Sequence, residues 1–300
     1  MKKVLFIVFV ITMSVALAEP AYSDIERAFI YDGSSYTFLN VPGSYGTNAY
    51  GIDGSNIVGT YSDASGFHSF VYNGTTFSTF NVPDAGSNGT IAHGISGNNI
   101  VGGYYASDGR EYGFIYNGST YTTLAFPGAI ATEARGISGS SVIGGYVDGS
   151  GYHGFIYNGS AYTTLDVPSG SNATWSNGIS GNNIVGHYWD GTHHGYVLNG
   201  TDYTVLEVPG ARGTIARGID GTNIVGSYLA PYGNEHGFIF DGITYSTFDV
   251  PGSTGTYVYD ISGGKIVGTA TFSSVPIPPS ILLFGSSLIG LFWIKKRLSI

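Results

Sequence analysis

The chain of 300 residues contains no cysteine. Disulfides therefore cannot staple it, and its stability has to come from packing and sheet hydrogen bonds. Basic residues are almost as scarce. Of 11 Lys and Arg, five (Lys2, Lys3, Lys295, Lys296 and Arg297) sit at the extreme ends, which leaves six in the interior. All 20 acidic residues fall between Glu19 and Asp260, so the interior carries about −14. That balance excludes nucleic acid and anionic membrane surfaces as partners, because phosphate binding needs clustered Lys and Arg. Helical periodicity is missing throughout the interior. No His-x-x-x-His pair exists to hold zinc, and no Asp-x-Asp-x-Asp-Gly loop to hold calcium. Neither a cofactor nor a metal is expected.

What the chain has instead is one unit repeated six times from Ala28 to Ala270. It reads Gly-Phe-Ile-Tyr-Asn-Gly-x-x-Tyr-Thr-Thr-Leu-x-Val-Pro, then Thr-x-Ala-x-Gly-Ile-Ser-Gly-x-Asn-Ile-Val-Gly-x-Tyr. Its anchor aromatics Phe29, Phe70, Phe114, Phe155, Tyr196 and Phe238 are 41 to 44 residues apart. A fixed period of that size means stacked or ringed supersecondary units. Each unit holds four short strand patterns separated by turn signals. The first is Thr-x-Ala-x-Gly-Ile (Thr90–Ile95), the second Ile100–Tyr104, the third Gly113–Tyr116 and the fourth Tyr121–Phe126.

The turns agree with this division. Asn-Gly or Asp-Gly separates the third and fourth strands in all six units, from Asp32-Gly33 to Asp241-Gly242. These dipeptides tolerate positive φ at both positions, which predicts two-residue type I′ hairpins. Pro42, Pro83, Pro127, Pro168, Pro209 and Pro251 then close the fourth strand, where a residue without an N–H belongs. Four antiparallel strands per ~42 residues predict an all-β, six-bladed β-propeller over residues 28–272. The interior starts with a third and fourth strand and ends with a first and second. Those halves complete each other only if the ring closes. An open β-solenoid is the alternative, but its rungs are shorter and its exposed ends need caps.

The two ends read as addresses. Lys2 and Lys3 precede an apolar stretch, and Ala16-Leu17-Ala18 fits the small-x-small cleavage rule, so 1–18 reads as a signal peptide helix and 19–27 as a short N-terminal segment. At the other end, the Pro-rich segment 273–280 leads into 281–300, read as a short transmembrane helix with a basic cytoplasmic end. Snorkelling of Lys295, Lys296 and Arg297 brings the apolar run near a thin span.

The order Val275-Pro276-Ile277-Pro278, a short helix rich in Leu, Phe and Gly, then a basic stop, resembles the PEP-CTERM sorting signal. Ile277 stands where Glu is more familiar. The resemblance covers about 25 residues. It implies processing by an exosortase-type protease in the envelope of a Gram-negative bacterium, a transient inner-membrane anchor, and extracellular polysaccharide as a partner. The repeat unit itself, with His153-Gly154-Phe155 where the family has His-Ala-Phe, is similar to the HAF-type extracellular repeats of secreted bacterial proteins. That likeness implies a secreted propeller and transfers no catalytic residue.

Several constellations could carry chemistry. Gly149-Ser150-Gly151-Tyr152-His153-Gly154 matches the dinucleotide glycine pattern, but it lies between two strands with no helix to meet a phosphate. His68, His153, His194 and His236 recur two residues before the anchor aromatic, which points to packing or turn duty. Asp63, Asp108, Asp148 and Asp190 recur after the second strand, where Asp commonly forms turns. The Ser-x-Asp-x-Gly-x-Thr-Trp box of sialidase propellers is absent.

The informative positions are those the repeat does not hold constant. The residue before the Gly of Thr-x-Ala-x-Gly is in turn Tyr50, His93, Arg135, Asn177, Arg217 and Tyr259. Two residues earlier stand Asn48, Ile91, Glu133, Trp175, Ile215 and Tyr257. On an innermost strand these side chains would line a channel, where propellers bind ligands. With the loop residues Tyr105, Arg110, Glu111, Trp189, Asp190, His193 and Tyr232 they make up the candidate ligand face. Aromatics there could stack on sugar rings while Arg and Glu supply polar contacts. The expected role is non-catalytic binding or structure in an extracellular matrix. The alternatives are a glycan hydrolase or lyase using carboxylates such as Glu133 and Asp190, and a ligand-free spacer or coat.

Overall fold

The computed structural model describes residues 25–167 and 173–273. The signal-peptide pattern 1–18, Pro168, the motif Val275-Pro276-Ile277-Pro278, the apolar run 281–300 and its basic end fall outside those residues. Everything described is strand or turn, with no helix. Among the described residues, twenty-four strands form four sheets of four and one sheet of eight, a β-propeller-like arrangement. Neighbouring strands are antiparallel except for one parallel pair, Tyr152 with Ala173, inside the eight-stranded sheet.

Each repeat unit supplies its strands in sequence order, beginning with Thr-x-Ala-x-Gly on the inner edge. Gly46–Asp53 pairs with Asn56–Asp63, which pairs with Gly66–Tyr72 and then Phe77–Phe80. The sheet that closes the chain is composite. Its order is Tyr36–Leu39, Ile25–Tyr31, Lys265–Phe272, Gly255–Ser262. Phe29 lies opposite Gly268 and Tyr31 opposite Ile266. The half units at the two ends thus zip together, and the first strand starts at Ile25, three residues ahead of the repeat's own start.

Three devices explain the residues that do not vary. The anchor aromatics are buried completely or nearly so, each contributing about 1.5–3 kcal/mol of apolar burial. The Thr of Thr-x-Ala-x-Gly accepts the backbone N–H of the residue just before the closing Pro. The bonds are Val41 to Thr47, Val82 to Thr90, Phe126 to Thr132, Val167 to Thr174, Val208 to Thr214 and Val250 to Thr256, at 2.9 to 3.3 Å. A buried N–H left without a partner is costly, so this hydroxyl is a requirement of the fold. The third device is local compensation. Where the anchor becomes Tyr196, the usual Ala becomes Ser176, and the two hydroxyls meet at 3.0 Å.

The hairpins differ from the expected type I′. No residue other than glycine has positive φ among the described residues. In the third unit Tyr116 pairs with Tyr121 across a four-residue loop, with Gly118 at φ 92°. The Asn117 side chain accepts the N–H groups of Ser119 and Thr120 at 3.0 and 2.9 Å. This Asx turn relieves Asn of any left-handed backbone and leaves that conformation to Gly alone. Of the six turns between third and fourth strands, only that at Asn199-Gly200 has two residues, with Asn199 paired to Asp202.

Candidate functional site

Every inner strand loses register at the same repeat position. The ladder skips between Ala49 and Gly51, Ala92 and Gly94, Ala134 and Gly136, Ser176 and Gly178, Ala216 and Gly218, and Val258 and Asp260. The skipped residues are Tyr50, His93, Arg135, Asn177, Arg217 and Tyr259. A β-bulge leaves its extra residue out of the ladder and re-aims the side chain. All six line a single cavity of 220 Å³.

Glycine after the bulge lets neighbouring sheets approach. A Cβ at Gly51 would stand 2.5 Å from the His93 carbonyl oxygen, and one at Gly94 would stand 2.7 Å from that of Arg135. The sixth unit breaks the pattern with Asp260. Its carboxylate accepts the N–H groups of Ile52 and Ile261, each at 2.9 Å. Burial pushes the Asp260 pKa up to about 7 against those two bonds, with Asp220 and Asp53 adding repulsion.

The lining divides into two halves of different chemistry. On one side the polar groups are already engaged with each other, in ion pairs and hydrogen bonds. His93 Nε2 is 2.6 Å from Glu133 Oε1, and Arg135 pairs with Glu133 Oε2 at 2.8 Å. Burial opposes ionisation of Glu133, but Arg135 and His93 outweigh it and hold its carboxyl far below the usual range. Arg135 also donates to Asn177 Oδ1 at 3.1 Å. Asn177 Nδ2 donates in turn to the Ala216 carbonyl and to His187 Nδ1. His187 is buried, and desolvation with Arg217 and Arg135 nearby drives its pKa well down, so the ring is neutral and accepts.

The other side is less committed. Arg217 lies over the Tyr259 ring at 5.0 Å, and its buried Nε has no hydrogen-bond partner among the described residues. Tyr50 meets Tyr259 edge-on at 4.9 Å. Burial, with Tyr259 beside it, raises the Tyr50 pKa, so the phenol stays protonated as a donor.

The remaining candidates scatter. Trp175 stacks on Tyr152 at 4.8 Å and on His187 at 4.7 Å, so its ring is spent inside the protein. Tyr257 is tied to Glu235, and burial first, then that carboxylate, pushes its pKa up to about 12. Asp190 does not join Glu133. It closes its own turn through the Thr192 N–H and lies 3.2 Å from His194 Nε2. The carboxylate beside Glu133 is Glu111, since both side chains abut Gly103. Burial, then Glu133, pushes the Glu111 pKa up to about 7. Trp189 stands 38 % exposed against His193, and Tyr232 is fully exposed on a loop. Arg110 donates to the Ala129 and Ile130 carbonyls.

The recurring histidines hold turns to strands. His153 reaches Asp166 through Nδ1 at 2.9 Å and Ser150 through Nε2 at 2.9 Å, and it stacks on Tyr146. His194 repeats this with Glu207, Thr192 and Tyr188. Sequence reasoning missed Asp260 and His187. The signal for Asp260 was its departure from the ring glycine. For His187 it was an imidazole at a position where other units place Gly, Ser or Thr.

No protein-family model matches the chain, and no curated protein matches it. Among solved structures it is similar to one described as TolB from Agrobacterium tumefaciens. The TM-score is 0.64 at 14% identity, with 83% of this chain and 99% of that chain covered. That likeness establishes the propeller-type fold alone. Lower on the scale are the six-bladed fucose-recognising lectin of Aleuria aurantia (TM-score 0.45, 16% identity, 73% and 84% covered) and Trypanosoma rangeli sialidase (TM-score 0.41, 13% identity, 94% and 64% covered).

Proposed function

We propose that this chain is an exported, non-catalytic six-bladed β-propeller that binds polysaccharide at the mouth of its central channel. The count of six rests on dividing the eight-stranded sheet at its one parallel pair. Each half then has four antiparallel strands and its own bulged inner strand. One observation carries the binding reading: six residues at one repeat position, different in chemistry from unit to unit, line one cavity. The Thr beside them stays constant, and the ring Gly gives way only to Asp260. Arg217, with Tyr50 and Tyr259, is the anchor of the site, because its buried Nε is left for a ligand to meet.

Export and sorting rest on the ends. The pattern of 1–18 supports a signal peptide. The motif at Val275–Pro278 with the basic stop Lys295-Lys296-Arg297 supports an exosortase-type protease as partner and a transient membrane anchor. Mass spectrometry of the protein from its native host should find 281–300 removed, and an intact C-terminus refutes the sorting. For the channel, binding of the purified chain on a polysaccharide array should be lost with Arg217→Ala. Retention of binding would move the ligand elsewhere.

A second reading is favoured by one observation. Glu111 and Glu133 abut the same glycine with their pKa values driven apart, the pattern of an acid and a base in glycan cleavage. Release of reducing ends that disappears with Glu111→Gln would support hydrolysis. Absence of release from any glycan bound would leave the binding module.

A further inference from the structure

A second cavity, of 330 Å³, shares no lining residue with the first and lies between the eight-stranded sheet and the sheet of residues 213–248. Its size is at the low end of the roughly 300–1,000 Å³ typical of small-molecule sites. Trp189 and Leu229, both more than a third exposed, and Ile215 give it an apolar wall. Polar groups interrupt that wall, among them His193, Arg212, Ser227 and Glu235.

Two of these are left without partners. Ser227 is wholly buried, and its Oγ has no hydrogen-bond partner among the described residues. The same holds for Nδ1 of His193. A buried hydroxyl without a bond costs about 1–3 kcal/mol, so each such group calls for an explanation. Both line this cavity. The inter-sheet position explains why they meet. Trp189 pairs with His193 across one sheet, and Ser227 pairs with Ile215 in the next. The Arg212 N–H bonds the Leu229 carbonyl at 2.8 Å, which holds that part of the wall in place.

We infer that this cavity is a second binding site, separate from the channel, for one neutral pyranose residue of a glycan. A sugar ring has an apolar C–H face and a rim of hydroxyls that both donate and accept. The cavity offers the complement: an indole and aliphatic wall for the face, with Ser227, His193, Arg212 and Glu235 for the rim. A purely apolar ligand would leave Ser227 and His193 unpaired. An anionic sugar or a phosphate would meet Glu235 within the wall and a domain rich in acidic residues. This site does not depend on the channel binding anything.

The test is calorimetric titration of the full chain, in detergent, with the methyl glycosides of glucose, galactose, mannose and fucose. At least one should bind at about 10 mM or below. Trp189→Ala should weaken it about tenfold or more, as loss of an aromatic anchor does. Ser227→Ala should weaken it about three- to tenfold, the value of one net hydrogen bond, while leaving the melting temperature unchanged or raised. That opposite movement separates a ligand contact from a structural role, and it stands even if Trp189→Ala fails to fold. No binding by any of the four glycosides overturns the proposal. So does tighter binding of glucuronate or inorganic phosphate. Binding lost with Arg217→Ala but indifferent to Ser227→Ala would assign the sugar to the channel and overturn it equally.

Discussion

Asp260 Oδ2 accepts the main-chain N–H of Ile52 at 2.9 Å, joining residues 208 apart in sequence. The bond links the last inner strand to the first, at the one place in the ring where glycine is replaced. Ser262 accepts the Gly54 N–H at 3.2 Å one step further along, and Lys265 reaches the Gly54 carbonyl at 3.2 Å. Closure is therefore made twice: by sheet pairing on one face of the Lys265–Phe272 strand, and by these contacts at the inner edge.

The raised pKa of Asp260, and that of Glu111, give stability a definite dependence on pH. Both folded values lie near 7, pushed up by burial. Between about pH 4 and pH 7 the folded chain thus keeps protons that the unfolded chain has released. The stability these groups contribute is full below about pH 4 and is lost as pH rises through 7. Urea midpoints at about pH 5 and pH 8 should differ less in Glu111→Gln and in Asp260→Gly than in the wild type. Identical differences in all three proteins would show that neither carboxyl is perturbed.

Thr132→Val tests the bond that fixes the end of each fourth strand. Valine keeps the shape of threonine but removes the hydroxyl that accepts the Phe126 N–H at 3.0 Å. The abandoned donor should cost about 1–3 kcal/mol, read as a lower urea midpoint. Thr132→Ser keeps the acceptor and should recover most of the loss. If Val and Ser behaved alike, methyl packing rather than the hydroxyl would explain the constancy of this Thr.

The ring was legible in the sequence because its two causes are both written at fixed spacing: anchor aromatics that fill the space between sheets, and turn residues that end each strand. The cavity-lining positions Tyr50, His93, Arg135, Asn177, Arg217 and Tyr259 stood out for the opposite reason, since they change, as do the residues two before them, beside a Thr that holds. The bulge that aims them was not legible. Thr-x-Ala-x-Gly keeps a plain two-residue alternation on paper, and the slip comes from the close approach of the next sheet's backbone at Gly51 and Gly94. Nor could pattern alone reveal that Asn177 spends its whole amide on Arg135, His187 and Ala216. Asn-Gly was ambiguous because a type I′ turn and an Asx-capped four-residue loop call for the same dipeptide.

That ambiguity has a direct test in Asn117. If the side chain caps the loop, Asn117→Asp should be tolerated, because Asp32 and Asp241 make the same pair of bonds in their own units. Asn117→Ala should cost about 1 kcal/mol, the ordinary value of such a cap. Gly118→Ala should cost at least as much through its φ of 92°. A type I′ turn would reverse part of this order and make Asn117→Gly stabilising.

Tyr196 and Ser176 supply the sharpest case, because the other five units show what the pair replaces. Phe with Ala or Val is the rule, and Tyr with Ser the exception, its hydroxyls 3.0 Å apart in a fully buried setting. Tyr196→Phe alone strands the Ser176 hydroxyl. Ser176→Ala alone leaves the phenol with only the Trp175 carbonyl, at 3.2 Å. Each single change should therefore destabilise by about 1–2 kcal/mol. The double variant rebuilds the arrangement of its neighbours and should return close to wild type. A double-mutant cycle in urea should yield a coupling of about 1 kcal/mol or more. Simple additivity would mean that the two hydroxyls are satisfied independently and that their joint appearance in one unit is coincidence.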